Sequence, residues 1–307
     1  MVNWKGVYPA LTTKFDAKGD LDLDQFEINL NAQIEAGIDG IILGGSLGEA
    51  STLLLEEKME LLHKAKSITK EIPVIINVAE SSLKRAIQVA QTAEENGADG
   101  LMALPPMMYK STDRETANWF TNIANSTDLP IMIYNNPVDY KIEVTLAIME
   151  QLLKLPNIKA IKESTRDVSN ISRLKSTFGD NLKVSCGVDT LALESLLMGA
   201  DGWVAGLVCA FPRETVAIYR LALAGKIDQA VAIHRWFLPI LELDINPQLV
   251  QNIKLAEVMT GIGTEHVRAP RMPLEGKERE RVINILETGL ATRPQLPDYL
   301  HLGTAKA

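Results

Sequence analysis

Short runs of apolar, often β-branched residues alternate along the chain with longer segments that have helical periodicity. The runs are bounded by Gly, Pro or Asp, which is typical of buried strands between turns. Eight such runs precede residue 211, at residues 7–13, 40–43, 74–78, 100–104, 131–134, 158–162, 183–186 and 203–207. Eight strands that alternate with helices predict an α/β fold, the (β/α)8 TIM barrel.

A short motif, Gly-x-Asp-Gly, recurs where a helical segment meets the next strand. It occupies residues 37–40, 97–100 and 199–202, and the first two copies are 60 residues apart. This spacing fits two successive βα units. Glycine is a favoured residue just beyond a helix end, so we interpret the motif as a marker of the fold that carries no chemistry.

The strand pattern stops near residue 211, and only helical patterns follow. They cover residues 214–224, 227–241, 248–260 and 277–288. We therefore predict a barrel over residues 1–224 and a helical C-terminal extension over residues 225–307, with a mobile tail from about Thr292.

Composition narrows the class of partner. The 307 residues carry a net charge of −8 and are 46% hydrophobic and 23% charged, which is ordinary for a globular protein. No basic stripe is present to neutralise phosphates, so we expect a small-molecule partner and no nucleic acid. Two cysteines without metal-ligand spacing and the lack of a secretory signal favour the cytoplasm. The apolar stretches are too short to span a membrane.

Lys162 is the first candidate for chemistry. It closes the apolar run at residues 158–162, and a buried ammonium is costly unless it is paired or neutralised. One interpretation is that Lys162 pairs with Glu163 or extends to the surface. The other is that burial lowers the pKa of the amine, which then acts as a nucleophile.

Two other strand ends also carry reactive groups. The second strand leads into a glycine-rich turn, in which the Ser46 hydroxyl and the backbone N–H groups would hold an anion such as a carboxylate. The fifth strand ends at Tyr134, whose phenol would transfer protons. Active sites of TIM barrels lie at the carboxyl ends of the strands. Together these groups favour Schiff-base formation between Lys162 and a 2-oxo acid.

The motifs around these residues resemble one enzyme family. Residues 45–49 (GSLGE), 134–137 (YNNP), 161–164 (IKES), 187–189 (GVD) and 199–206 are similar, in order and spacing, to the dihydrodipicolinate synthase and N-acetylneuraminate lyase family of class I aldolases. The resemblance extends from about residue 4 to 290.

The resemblance implies a role for each motif. Lys162 would form the imine, Tyr134 would relay protons, and Ser46 with the amide of Leu47 would hold the substrate carboxylate. Gly187 and Val204 would line the pocket through backbone groups. The resemblance also implies a homotetramer built as a dimer of dimers, with no metal or organic cofactor.

Some positions depart from the family pattern. Leu47 replaces a hydroxyl of the anion-binding turn, Met107 and Met108 replace a tyrosine pair, and Asp139 replaces an arginine that holds a distal carboxylate. An anion at residue 139 would repel such a carboxylate. Alternatively, the Asp139 side chain accepts a hydrogen bond from the substrate or caps a nearby backbone N–H.

These departures lead us to expect an enzyme other than a true dihydrodipicolinate synthase. We favour elimination of water or ammonia, as in a 1-pyrroline-4-hydroxy-2-carboxylate deaminase or a 2-keto-3-deoxy sugar-acid dehydratase. The alternatives are a retro-aldolase that releases pyruvate, an enzyme similar to dihydrodipicolinate synthase, and a non-catalytic barrel that only binds its ligand.

Overall fold

The computed structural model describes residues 2–106 and 108–302. Its centre is a ring of eight parallel strands in the order β1-β8-β7-β6-β5-β4-β3-β2. The strands are β1 (Gly6–Pro9), β2 (Ile41–Leu43), β3 (Val74–Val78), β4 (Gly100–Ala103), β5 (Ile131–Asn135), β6 (Ile158–Glu163), β7 (Lys183–Cys186) and β8 (Gly202–Ala205). Their almost continuous apolar sequence reflects burial on both faces, by side chains inside the ring and by helices outside it.

The ring closes between β1 and β2 through a single bridge. Ala10 pairs with Ile42, and the backbone N–H of Leu11 donates to the carbonyl of Ile42 at 3.0 Å. The first strand is shorter than predicted, because it ends at Pro9 and not at Thr13. Residues 11–15 are nevertheless buried, so the burial of this segment does not end where the strand ends.

Helices follow the strands and cover the outside of the ring. They are α1 (Leu23–Glu35), α2 (Leu55–Ile68), α3 (Leu83–Glu95), α4 (Asp113–Ala124), α5 (Pro137–Tyr140), α6 (Leu146–Leu152), α7 (Ser169–Phe178), α8 (Ala192–Leu197) and α9 (Pro212–Leu223). Several begin at side chains that accept a hydrogen bond from the first turn, namely Asp22, Ser82, Thr112 and Thr145. The predicted (β/α)8 barrel is confirmed.

The Gly-x-Asp-Gly motif connects helices to strands, as the sequence predicted. Its first glycine has a positive φ in all three copies, 87° at Gly37, 82° at Gly97 and 96° at Gly199, a conformation that glycine adopts without steric cost. The carboxylate of each motif accepts a backbone N–H at the start of a strand: Asp39 from Val7, Asp99 from Val74 and Asp201 from Val184. The motif therefore fixes strand positions.

Three further helices form the C-terminal part: α10 (Ile227–Leu241), α11 (Leu249–Met259) and α12 (Gly276–Ala291). Two buried ion pairs join α11 to the barrel. Lys254 contacts Glu49, after β2, at 2.6 Å, and Glu257 contacts Lys14, after β1, at 2.9 Å. No helix within residues 2–106 and 108–302 is both long and apolar enough to cross a membrane.

The segment that follows α12 differs from the predicted mobile tail. Tyr299 is buried, and Arg293 donates to the carboxylate of Glu214 on α9 at 2.6 and 3.0 Å. Residues 293–302 thus rest on the barrel, and the remainder of the expected tail, residues 303–307, lies outside the described part of the chain.

Candidate active site

A cavity of about 100 Å³ opens at the carboxyl ends of the strands. It brings together all seven candidate residues: Ser46, Leu47, Tyr134, Asp139, Lys162, Gly187 and Val204. It is also lined by groups that the sequence did not single out: Asn136, Tyr140, Ser164, Arg166 and Asp244. Strand-end position was sufficient to find Ser46, Tyr134 and Lys162, because parallel strands bring their carboxyl ends to one edge. The other four came from the family resemblance and the departures from it.

Lys162 differs from the other buried lysines in lacking a carboxylate partner. Lys14, Lys58 and Lys254 are each 2% exposed or less, and each lies within 2.9 Å of a glutamate, Glu257, Glu80 and Glu49 respectively. Lys162 is 7% exposed, and no carboxylate of the described residues forms an ion pair with its Nζ. Its burial is therefore not explained by a structural ion pair.

The neighbouring carboxylate, Glu163, has other partners. It accepts hydrogen bonds from Asn135 Nδ2 at 2.9 Å, Asn170 Nδ2 at 2.8 Å and the backbone N–H of Thr165 at 2.6 Å. Successive strand residues point to opposite faces, so Glu163 is directed away from the cavity that Lys162 enters. The interpretation that Lys162 pairs with Glu163 is wrong.

The environment of Lys162 favours a neutral amine. Its Nζ lies 4.2 Å from the centre of the Tyr134 ring, and burial lowers the pKa of the amine, an effect that nearby Tyr140, Asp244 and Asp189 oppose. The side chain of Lys162 packs against Gly187, where there is no room for a larger residue, since a Cβ at residue 187 would approach Lys162 Cε to 2.5 Å. A free amine at this position is suited to attack a carbonyl carbon.

The Tyr134 hydroxyl is oriented by a side chain two residues further along the chain. Asn136 Nδ2 donates to it at 3.1 Å, so the phenol accepts this bond and keeps its own proton available to a bound substrate. Burial raises the pKa of Tyr134 to about 12. The phenol is therefore protonated at neutral pH and can donate.

A second phenol, Tyr140, reaches the anion-binding turn. Its hydroxyl is 2.5 Å from Ser46 Oγ, and its ring lies edge-on to that of Tyr134 with the centres 5.7 Å apart. The one-turn helix α5 positions it, beginning at the Asn136 cap and ending at Lys141. Tyr140 therefore brings a hydroxyl to the anion-binding turn, in which residue 47 lacks one.

The structure pairs Asp139 with a cation. Asp139 Oδ1 lies 3.7 Å from Arg166 Nη2, and Oδ2 accepts a hydrogen bond from Asn136 Nδ2 at 2.7 Å. Arg166 adopts a positive φ of 63°, unusual for a residue with a side chain. Asp139 therefore does not present an isolated negative charge to the distal end of the cavity. Among the described residues no backbone N–H donates to the Asp139 carboxylate, and the side chain that caps α5 is Asn136, whose Oδ1 accepts the N–H of Asp139.

Two more acidic groups lie beside Gly206, a residue of the cavity wall. Asp189 is buried and accepts hydrogen bonds from Trp203 Nε1 at 2.8 Å and from the backbone of Gly206 and Leu207 at 2.7–3.1 Å. It thereby fixes the loop after β8. Asp244, in the loop between α10 and α11, lines the cavity.

The predicted substitution of a tyrosine pair is less informative. Met107 lies outside the described residues, whereas Met108 and Tyr109 are 76% and 57% exposed and do not line the cavity. Among residues 2–106 and 108–302, no cluster of three or more His, Cys, Asp or Glu side chains is arranged to hold a metal ion.

Comparison with known proteins shows that the sequence matches one enzyme family over most of its length. The model of the dihydrodipicolinate synthetase family matches residues 3–289. A protein of Exiguobacterium sibiricum named 4-hydroxy-tetrahydrodipicolinate synthase is 34% identical over 289 residues, covering 93% of this chain and 97% of that protein.

Solved structures agree. The 4-hydroxy-tetrahydrodipicolinate synthase from Methylacidiphilum fumariolicum SolV matches with a TM-score of 0.89 at 31% identity, over 94% of this chain and 96% of that one. A dihydrodipicolinate synthase from Acinetobacter baumannii, solved in complex with pyruvate, matches with a TM-score of 0.89 at 26% identity, over 94% and 99% of the two chains.

Proposed function

Because the chain belongs to the dihydrodipicolinate synthetase family, whose members are class I lyases, we propose that its Lys162 forms a Schiff base with a 2-oxo acid of the pyruvate type. The observation that carries this proposal is the unpaired, buried amine of Lys162, which contrasts with the glutamate-paired Lys14, Lys58 and Lys254. Desolvation without a counter-ion favours the neutral form, and the neutral amine is the nucleophile.

The remaining groups suit the steps that follow attack. The N–H groups and hydroxyl of the turn at Ser46 would bind the substrate carboxylate. Tyr134, with Tyr140 acting through Ser46, would move protons as the carbinolamine loses water and the iminium loses a proton to give an enamine. The iminium is itself the electron sink, so the proposal requires no metal or organic cofactor.

Two finer reactions start from this enamine. The relatives' name favours carbon–carbon bond formation with an amino aldehyde, to give 4-hydroxy-tetrahydrodipicolinate. Arg166 at the distal rim, beside Asp139, supplies a cation for a second carboxylate. These points do not support our sequence-based expectation that the chain departs from the synthase reaction, and we place that reaction first.

The second candidate is elimination of water or ammonia, the reaction favoured from the sequence. One observation supports it: Asp244 faces the cavity, and burial together with repulsion by Asp189 raises its pKa well above the usual range. A protonated carboxyl group beside the substrate would suit a departing hydroxyl or amine. Retro-aldol cleavage and simple ligand binding are the further outcomes that an assay must separate.

Borohydride trapping tests the Schiff base. We expect pyruvate and borohydride to add one reduced adduct to the protein, at Lys162, and we expect no adduct in Lys162→Ala. Lys254→Ala is a poor comparison because it breaks an ion pair, so the matched control is the exposed Lys159→Ala. An adduct that persists in Lys162→Ala, or no adduct in the parent with any 2-oxo acid, would refute the mechanism.

A substrate panel then separates the reactions. The untreated protein is offered pyruvate with an amino aldehyde, 4-hydroxylated cyclic imines, and 2-keto-3-deoxy sugar acids. Formation of a dihydrodipicolinate precursor indicates the synthase, release of ammonia or formation of a dehydrated 2-oxo acid indicates elimination, and release of pyruvate indicates retro-aldol cleavage.

A further inference from the structure

The loop between α10 and α11 places a carboxyl group, that of Asp244, in the wall of the cavity. The Schiff-base steps do not use this group. Asp244 lines the cavity together with Lys162. Within the described residues no group donates a hydrogen bond to its carboxyl or forms an ion pair with it. In a barrel where Glu49, Glu163, Asp189 and Glu257 all have such partners, an unpartnered carboxyl that faces a cavity is available to a ligand.

Its position is fixed by backbone contacts. The N–H of Asp244 donates to the carbonyl of Leu241 at 3.0 Å, which extends the end of α10. The carboxyl rests against Gly206, where a Cβ would come within 2.6 Å of Asp244 Oδ1. Asp189 holds the Gly206 loop through its backbone N–H groups. The absence of a side chain at residue 206 and the anchored loop therefore give Asp244 a defined place in the cavity wall.

We propose that Asp244 is the general acid for the step after enamine formation. It protonates the oxygen or nitrogen that receives an electron pair when the enamine attacks an aldehyde or expels a leaving group. This inference rests on the proposed Schiff base at Lys162 and adds a catalytic residue from the C-terminal extension. Lys162, Tyr134, Tyr140 and Ser46 act on the 2-oxo acid group. Asp244 acts on the aldehyde or on the leaving group, which must carry an oxygen or nitrogen that gains a proton.

The proton balance is the same in both candidate reactions. In condensation, the enamine carbon attacks the aldehyde, the carbonyl electron pair moves to oxygen, and that oxygen takes the proton of Asp244. The iminium is restored on Lys162 and Asp244 becomes a carboxylate. In elimination, the enamine electrons expel a hydroxyl that Asp244 protonates, so water leaves and an unsaturated iminium remains. Water then returns a proton to Asp244 in either case.

The surrounding charges are compatible with an acid at neutral pH. Burial and the repulsion of Asp189 and Asp139 raise the pKa of Asp244, and the positive charge of Arg166, together with that of Lys162 whenever its nitrogen is charged, acts in the opposite direction. The group is active when protonated, so turnover should fall as pH rises through its pKa.

The test separates the two halves of the reaction in Asp244→Asn. The first half is measured as exchange of the pyruvate methyl protons with D₂O and as borohydride trapping. We expect both at the parent level, which also demonstrates that the variant is folded. The second half is measured as turnover of the best substrate of the panel, and we expect kcat to fall by about 100-fold or more. The alkaline limb of the kcat profile should disappear, and Asp244→Glu should restore part of the rate.

Glu242→Gln is the matched control, because Glu242 is an exposed carboxylate two residues earlier. We expect parent values from it in every assay. Parent-level turnover in Asp244→Asn would overturn the proposal. Loss of exchange and trapping along with turnover would also overturn it, since Asp244 would then act on Lys162. If the parent itself shows neither exchange nor adduct, the Schiff-base function fails and the role of Asp244 falls with it.

Discussion

The lowered pKa of Lys162 determines the pH range in which the reaction can begin. Attack on a carbonyl requires the free amine, and an exposed lysine with a pKa of about 10.4 is almost wholly protonated at neutral pH. Burial lowers the pKa of Lys162, so the free amine persists to lower pH. We expect the rate of adduct formation with pyruvate and borohydride to level off below the pH of about 10.4 at which an exposed lysine titrates, and to fall on acidification. A rate that climbs up to about pH 10 would mean that the amine is not perturbed.

Tyr140 should be needed for proton transfer and not for imine formation. Removing its hydroxyl in Tyr140→Phe breaks the contact with Ser46 Oγ and leaves the ring packed against Tyr134. We expect exchange of the pyruvate methyl protons in D₂O to slow by about 100-fold, whereas the yield of borohydride adduct stays high.

Tyr109→Phe is the informative comparison for Tyr140. Tyr109 is exposed in this chain and is the phenol nearest in sequence to the tyrosine pair of the family. Parent exchange is expected from it. Slow exchange in Tyr109→Phe with normal exchange in Tyr140→Phe would assign the relay to another copy of the chain.

The sequence located residues at strand ends more readily than residues held by loops. Ser46, Tyr134 and Lys162 each follow a recognisable apolar run, so the fold alone brought them together. Tyr140 lies on a single helical turn that gives no periodic signal, and Arg166 enters through a left-handed backbone conformation that is unusual for arginine. The pairing of Asp139 with Arg166 depends on that conformation, which explains why the sequence suggested an isolated negative charge.

At the scale of elements, α11 is joined to the barrel by charges with little exposure to solvent. The side chains of Lys14 and Glu257 are 0% exposed and lie 2.9 Å apart. Removal of one partner leaves the other charge buried and unpaired, which costs more than the pair itself contributes.

Glu257→Gln should therefore lower the free energy of unfolding by about 3–5 kcal/mol, measured by urea denaturation. Glu287→Gln, on the exposed side of α12, is the control and should change it by less than about 0.5 kcal/mol. Equal stability of the two variants would mean that the ion pair does not stabilise the folded protein.

Elements with long, regular patterns were predicted closely, and short ones were not. The limits of α10 agree with the sequence pattern at both ends, because one apolar face repeats over four turns. The helix α5 was not predicted, and β1 was predicted too long. The burial of β1 and of the residues after it is imposed by tertiary contacts, and α5 is a single turn without a buried residue, so neither has a local periodicity that marks its limits.

For the whole molecule, the described cavity is built from one chain. Lys162, Tyr134, Tyr140, Ser46 and Asp244 all belong to it, so the groups to which we assign proton exchange come from a single copy. The tetramer implied by the family resemblance remains a prediction. Light scattering at decreasing concentration, with exchange measured on the same samples, is expected to give a constant rate per subunit as any assembly dissociates. A rate that falls with the assembled fraction would indicate that a neighbouring copy contributes to the site.

The single bridge between β1 and β2 gives the two ion pairs of α11 a further consequence. Lys14 follows β1 and Glu49 follows β2, so one helix holds both sides of the only place where the ring closes without a ladder, as far as the described residues go. The helix α11 therefore holds together the two edges of the sheet at which the barrel closes. Truncation near residue 225 would remove both ion pairs and so weaken the contact between β1 and β2, beside Ser46. We therefore expect the extension and the barrel to unfold together as one cooperative unit.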